Sequence, residues 1–257
     1  MKISVTIIVK NEEKNLPACL QSLDFADEII VVDSGSSDGT AEICRSHPKV
    51  SFHELPWEGF GRQKNRAADL ARNEWVFNID ADERVSPELR ASILAADVTR
   101  FTGFRVAREN YFALRRIRYC GWYPDYNIRL YNRNQCRFSE RLVHEAVTCP
   151  GGVGTLQGNL IHYTYAGISD YLQRMDKYSS LAAEEVIKAG KKPGVAALLL
   201  RPLFTFFKMF VLKQGFREGY HGLLLSLLYA VYTFLKYAKA REIRSAGSAA
   251  GSGTAER

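Results

Sequence analysis

The first hundred residues alternate short apolar, β-branched runs with segments of helical periodicity, and that alternation narrows the possible folds more than any other feature of the chain. Residues 3–9, 28–32, 50–55 and 75–79 read as strands. Between the first two, Leu16, Leu20 and Leu23 recur at helical spacing behind a polar Asn11-Glu12-Glu13 entry, and Ser86-Pro87-Glu88 has the chemistry of a helix start. Strand and helix in alternation predict βαβ units, and therefore an α/β fold with a mainly parallel sheet flanked by helices. Ligands of such sheets bind beyond the carboxyl ends of the strands, where Asn11, Asp33 and Asp80 fall.

The pattern then changes. Residues 103–108, 127–131 and 142–147 read as antiparallel additions to the sheet, and 166–243 reads as helical. Charge follows the same division. Residues 1–165 carry 21 Lys+Arg against 21 Asp+Glu, whereas 166–244 carry 13 against 6, so the whole net charge of +7 lies in the helical third. Two apolar stretches share that third, 195–212 and 219–235. Arg201 and Lys208 lie seven apart on one helix face, which predicts an interfacial helix with its cations toward lipid headgroups. Buried bundle helices would show the same hydrophobicity. The small, polar segment 245–257 is expected to be disordered.

Composition excludes several classes. At 46% hydrophobic content over 257 residues the chain can fill a core, so it is not intrinsically disordered. Nucleic acid is not expected as a partner, because the basic residues are interleaved with apolar stretches and no reading motif accompanies them. The five cysteines include no C-x-x-C pair, so neither a disulfide framework nor a zinc site is indicated and a reducing cytosol is expected. No signal peptide is read at the start.

Three segments carry chemistry. Phe77-Asn78-Ile79-Asp80-Ala81-Asp82-Glu83 is an apolar strand ending in two carboxylates; in extended chain, positions i and i+2 point the same way, so Asp80 and Asp82 could share one hard cation, Mg2+ or Mn2+. A solvated acidic turn is the alternative. Asp33-Ser34-Gly35-Ser36 could approach a ligand closely, with Asp33 accepting hydrogen bonds from a base or ribose, or could be an ordinary capped turn. Gly61-Arg62-Gln63-Lys64-Asn65-Arg66 sets cations at a helix start, as a phosphate contact or a solvated face.

In this order and spacing, Thr6 to Glu12, Val32 to Thr40 and Asp80-Ala81-Asp82 resemble family 2 glycosyltransferases of the GT-A fold. The resemblance implies a nucleotide-sugar donor, with Asn11, Glu12, Asp33, Gly35, Ser36, Lys64 and Asp80 at the nucleotide and Asp82 as the main metal ligand, joined by Asp80 and a late histidine, His162. Further along, Arg141-Leu-Val-His144-Glu145, Leu160-Ile-His162-Tyr163-Thr-Tyr165, Tyr171-Leu172 with Lys177-Tyr178, and Lys213-Gln-Gly215-Phe216-Arg217-Glu218-Gly219 resemble the lipopolysaccharide core β-1,4-glucosyltransferase group. The chain departs from that group at Arg217-Glu218, where an Asp beside Gly is expected.

Inversion at an anomeric carbon needs one base near the acceptor hydroxyl. Glu145 is the expected base, with His144 beside it on the acceptor side and Asp125 as first rival; pairing of Glu145 with Arg137 or Arg141 is the structural alternative. Trp122 and Tyr123 offer faces for stacking an acceptor sugar, or simply pack. The expected organisation is a catalytic domain over 1–165, split into a nucleotide-sugar half (1–100) and an acceptor half (101–165), followed by a membrane-associating region (166–244) and the tail. The expected enzyme is a metal-dependent hexosyltransferase peripheral to the inner face of the cytoplasmic membrane. It would carry glucose from UDP-glucose to a lipid-linked acceptor such as the lipopolysaccharide inner core. A polyprenyl-phosphate acceptor is the alternative. A Mg2+ phosphatase using the same D-x-D pair ranks lower, because Arg84 stands where that class places a small residue.

Overall fold

The computed structural model describes residues 1–139 and 146–252. Strands β1 (Ile3–Val9), β2 (Glu28–Asp33), β3 (Val50–Glu54) and β4 (Trp75–Asn78) alternate with helices α1 (Leu16–Gln21), α2 (Thr40–Ser46) and α3 (Phe60–Asp69). β1 pairs in parallel with both β2 and β4, and β2 with β3. β1 and β2 read as almost unbroken apolar runs because both faces are covered. Val5, Ile7, Ile29 and Val31 pack with Leu16, Leu20 and Leu23 on one side, while Ile30, Val32 and Val76 pack with Ala67 and Ala68 of α3 on the other.

The chain continues through β5 (Glu83–Val85), α4 (Pro87–Leu94), β6 (Gly103–Phe112), β7 (Arg115–Arg116), β8 (Asp125–Asn132), β9 (Arg137–Phe138), β10 (Val147–Thr148) and β11 (Val153–Tyr165). The sheet order is β3-β2-β1-β4-β8-β6-β11-β5, with β7 on β6. β8 runs antiparallel to both β4 and β6, as expected of residues 103–108 and 127–131. Residues 142–145 of the segment expected to join this sheet lie outside the described residues, and at its described end Val147 belongs to a separate two-stranded sheet with β9. Ser86 caps α4 as its sequence indicated, its Oγ accepting from the Leu89 N–H at 3.2 Å.

Cys136 and Cys149 form a disulfide, which corrects the expectation of none. β9 pairs Arg137 with Thr148, so the cysteines just outside that pair face each other, with Cα atoms 4.5 Å apart. A separation of 13 residues carries no such signal in sequence.

The chain forms two compact units, Met1–Tyr111 with Pro124–Thr164, and Phe112–Tyr123 with the chain from Tyr165 onward. The helical unit thus takes residues 112–123 out of the stretch expected to be catalytic. Ile117, Cys120 and Trp122 pack with Tyr171, Met209 and Leu225, and the buried Glu218 accepts the Arg118 and Tyr119 N–H groups at 2.7 and 3.1 Å. This unit contains α5 (Ile168–Lys188), α6 (Val195–Phe207), a π-helical turn over Lys208–Leu212, a 3-10 turn over Gly215–Glu218 and α7 (Tyr220–Ser252). Helix α7 continues through most of the tail expected to be disordered, whose alanines favour helix.

Val195–Leu212 and Tyr220–Ser245 are long and apolar enough to cross a membrane, with mean hydropathy of 1.9 and 1.2. Arg201 is exposed on α6 and lies along Tyr237 of α7. Its guanidinium lies 4.6 Å from the Tyr237 ring centroid and donates to the Tyr237 hydroxyl. The exposed surface of α6 is otherwise apolar, with Leu199, Leu200, Leu203 and Phe204 each at least 60% exposed.

At the amino end of β2, the buried Glu28 carboxylate accepts from Ser4 Oγ at 2.6 Å and from Arg72 N and Nε at 2.6 and 2.7 Å. Burial raises its pKa, but these hydrogen bonds and the Arg72 charge outweigh burial and hold it below 4.5. A lowered carboxylate pKa contributes stability above the unfolded value that is lost as pH falls through the folded one. Glu28→Gln is therefore expected to lower stability at neutral pH by about 1.5–3 kcal/mol. It should also flatten the decline below pH 4.5, as measured by urea unfolding across pH.

Candidate active site

The loops after β1 and β2 interlock. Asn11, at φ +58°, donates its N–H to Ser36 Oγ at 2.8 Å and accepts the Ser37 N–H on Oδ1 at 2.8 Å. Asp33 is buried and accepts from Ser36 N at 3.0 Å and Ser36 Oγ at 2.7 Å. Gly35 has φ +91°, and a Cβ there would meet nothing within 4 Å, so this backbone stays open to close approach. The Glu12 N–H donates to Thr40 Oγ1 at 2.8 Å. Asn11, Glu12, Asp33, Gly35 and Ser36 are thus gathered at one end of the parallel strands, with Asp33 serving as the cap of its own turn.

The acidic pair is arranged differently from its sequence expectation. Strand β4 ends at Asn78, and Asp80-Ala81-Asp82-Glu83 is a turn closed by the Glu83 N–H to the Asp80 carbonyl at 3.0 Å. The extended-chain argument for a shared direction fails there. Asp80 Oδ1 lies 3.1 Å from Lys64 Nζ of α3, and Oδ2 lies 3.2 Å from Arg129 Nη2 of β8. Burial raises the Asp80 pKa, but Lys64 and Arg129 overcome it and hold the carboxyl far below the usual range. With both oxygens engaged by buried cations, Asp80 is poorly suited to act as a phosphatase nucleophile.

Asp82 turns instead toward β11. Its Oδ2 lies 3.4 Å from His162 Nε2. His162 Nδ1 is 2.6 Å from Asn110 Oδ1, and the Asn110 amide also hydrogen-bonds Asp125. The Asn110 oxygen accepts from Nδ1 at that distance, so Nε2 is the ring nitrogen that faces the Asp82 carboxylate. A ring whose other nitrogen is fixed by a second partner is the usual setting of a metal-binding imidazole. Asp82 and His162 thus offer two donor groups to a divalent ion, and among the described residues no group of three or more His, Cys, Asp or Glu side chains forms a metal cluster.

Between these two groups runs a buried charge web that the sequence reading missed. The fully buried Glu83 accepts from Arg129 Nη2 at 2.6 Å and from the Asp80 N–H at 3.0 Å, with Arg108 at 3.7 Å. Burial lowers the Arg129 pKa, but Glu83 and Asp80 more than compensate, so its guanidinium stays charged. A signal was available, since an arginine between Ile128 and Leu130 in an apolar strand needs a buried partner.

Asp125, the rival base, is paired with Arg108 at 2.5 Å. Burial raises its pKa, but Arg108, Asn127 and Asn110 bring it below 3.8, so it is a weak base held in place. His144 and Glu145 lie outside the described residues. Arg137, one alternative partner of Glu145, pairs with Asp69 at 2.5 Å. Trp122 and Tyr123 belong to the helical unit. Trp122 is 6% exposed and meets Phe112 and Tyr229 edge-on, so it packs within this unit and is not an exposed platform; Arg116 lies over the Tyr123 ring at 5.4 Å.

A four-stranded parallel half ending in an acidic turn, continued by antiparallel strands that bring a histidine to that turn, is the GT-A architecture of glycosyltransferases. The chain belongs to glycosyltransferase family 2, whose model matches residues 4–142. It is 34% identical over 252 residues to the lipopolysaccharide core biosynthesis glycosyltransferase LpsC of Rhizobium meliloti (strain 1021), covering 93% of this chain and 92% of that protein. It is 32% identical over 268 residues to a glycosyltransferase of Rickettsia bellii (strain RML369-C), covering 94% and 87%. Among solved structures, the mannosyltransferase PcManGT from Pyrobaculum calidifontis, in complex with GDP-Man and Mn2+, shares the fold with a TM-score of 0.52 at 15% identity over 99% of this chain and 79% of that one.

Proposed function

We propose that this glycosyltransferase moves a hexose, glucose from UDP-glucose, with inversion onto a lipid-linked saccharide of the lipopolysaccharide inner core. The observation that carries the reading is the Asp82 carboxylate facing a histidine whose other nitrogen is fixed by Asn110. The similarity to LpsC along nearly the whole chain supports the acceptor class, and the exposed apolar face of α6 suits an enzyme working at the inner face of the cytoplasmic membrane. Polyprenyl phosphate is the alternative acceptor.

Asp82 and His162 would hold Mg2+ or Mn2+. When bound, that ion supplies charge neutralisation for the departing diphosphate. Lys64 keeps a second cation at the same turn, held by Asp80. Asn11, Gly35 and Ser36 shape the loops that would receive the nucleotide, and Asp33 holds them closed through Ser36. Glu145 takes the acceptor hydroxyl proton as the new bond forms.

The test incubates the protein and Mn2+ with a panel of nucleoside diphosphate sugars and either core glycolipid or polyprenyl phosphate. Mass spectrometry should find one hexose added to the glycolipid with UDP-glucose. No transfer and no nucleotide release with any donor would remove the reading. Asn110→Ala should weaken Mn2+ binding in the presence of UDP by about 10–100-fold. Paramagnetic resonance of free Mn2+ checks this, and an affinity equal to wild type would refute the role of Asn110.

A further inference from the structure

The helical unit contains a cavity that the transfer chemistry above does not use. It measures about 300 Å³ and is lined by Lys208, Lys213, Trp122, Tyr229 and Thr205, among others, with no carboxylate among its lining residues. That volume suits a small polar ligand. The two lysines reach it because the helix widens after α6. In the π-helical turn the Lys213 N–H donates to the Lys208 carbonyl at 2.8 Å, a five-residue span that brings both side chains to one side. Helical irregularities of this type are frequent at functional sites.

The opposite wall is tied to the same turn. The Cys120 N–H donates to the Lys213 carbonyl at 3.0 Å, and Cys120 and Gly121 adopt left-handed backbone at φ +60° and +77°. The Lys213 stem runs alongside Gly121, where a Cβ would stand 3.6 Å from it. Beside the cavity, Leu203, Phe204, Phe207, Val211 and Leu212 leave an apolar apron exposed. Two ammonium groups, a hydroxyl and aromatic walls next to an apolar apron match one kind of molecule, a phosphorylated sugar that carries a lipid tail.

We propose that this cavity binds the phosphate-bearing head of the lipid-linked acceptor, with Lys208 and Lys213 on the phosphate and the tail along α6. The inference rests on the lipid-linked acceptor named above and deepens it. It makes the helical unit an acceptor-recognition element in addition to a membrane contact.

Vesicle sedimentation without any nucleotide tests it. Phosphatidylcholine vesicles carrying diphosphoryl lipid A are compared with vesicles of equal surface charge carrying phosphatidylglycerol. Wild type should prefer the lipid A vesicles by roughly tenfold or more, since charge-assisted hydrogen bonds to a phosphate are the strong ones. K208Q/K213Q should erase that preference. K191Q/K192Q, which removes the same charge from the exposed turn before α6, should weaken both kinds of binding alike and keep the ratio. K208R/K213R should retain most of the preference. A wild-type ratio near one, or a ratio that K208Q/K213Q leaves unchanged, overturns the proposal. Nucleotide release from donor by the wild type, measured separately, tells failure of the transferase reading from failure of the cavity.

Discussion

Asp82→Asn is expected to lower hexose transfer by roughly three orders of magnitude while leaving the fold intact. The cation that Asp82 would help hold contributes several kcal/mol of charge neutralisation at the leaving diphosphate, and each 1.36 kcal/mol is about tenfold in rate. The side chain is 19% exposed and is paired with His162, while its backbone carbonyl keeps the Tyr163 N–H at 3.1 Å. Its unfolding free energy should therefore stay within about 0.5 kcal/mol of wild type. Asp80→Asn should behave differently, losing stability together with activity, because Lys64 and Arg129 are both buried and would lose a counter-charge. Steady-state nucleotide release and urea unfolding on the two variants separate these outcomes. Equal stability loss in both would show that the two carboxylates do not divide their work in this way.

Arg129→Met should produce the largest stability effect in the catalytic unit, about 3–5 kcal/mol, which is the cost of leaving a buried charge uncompensated. Glu83 has no exposed surface, and without Arg129 its nearest remaining cation among those paired with it is Arg108 at 3.7 Å. Glu83→Leu alone should also be costly, because Arg129 would remain buried. Combined in one protein, Glu83→Leu and Arg129→Met should recover much of the loss, since apolar replacement of a whole buried pair is often near neutral. Transfer should not recover with stability, because the Glu83 carboxylate also holds the Asp80 N–H at 3.0 Å and so shapes the acidic turn. A loss below about 1 kcal/mol for Arg129→Met, measured by urea unfolding, would mean the web is solvated and contributes little.

The sequence made the parallel half legible because its strands are buried on both faces, and runs such as Ile3–Val9 leave little choice of structure. The acidic motif was legible by composition but not by geometry. Only a turn at Asp80 to Glu83 divides the carboxylates between Lys64 and Arg129 on one side and His162 on the other, and no local pattern distinguishes that turn from two more residues of strand. Long-range partners were the main loss. Asn110 lies 52 positions from His162 and Glu83 lies 46 from Arg129, so each pair exists only once the antiparallel strands are in register. The Cys136–Cys149 bond was hidden for the same reason, since it depends on a short strand pairing. At Trp122 the residue type suggested a sugar platform, whereas packing with Phe112 and Tyr229 in the helical unit decided its place.

The account turns on whether Asp82 and His162 jointly hold a divalent ion at the end of β4. Crystals grown with UDP and Mn2+ and measured at the manganese absorption edge test this most directly. The expected result is one anomalous peak within coordination distance of the Asp82 carboxylate and His162 Nε2, in contact with the diphosphate, while Asp80 keeps Lys64 and Arg129. A nucleotide bound without that peak, or a peak held by other side chains with His162 still facing Asp82 alone, would contradict it.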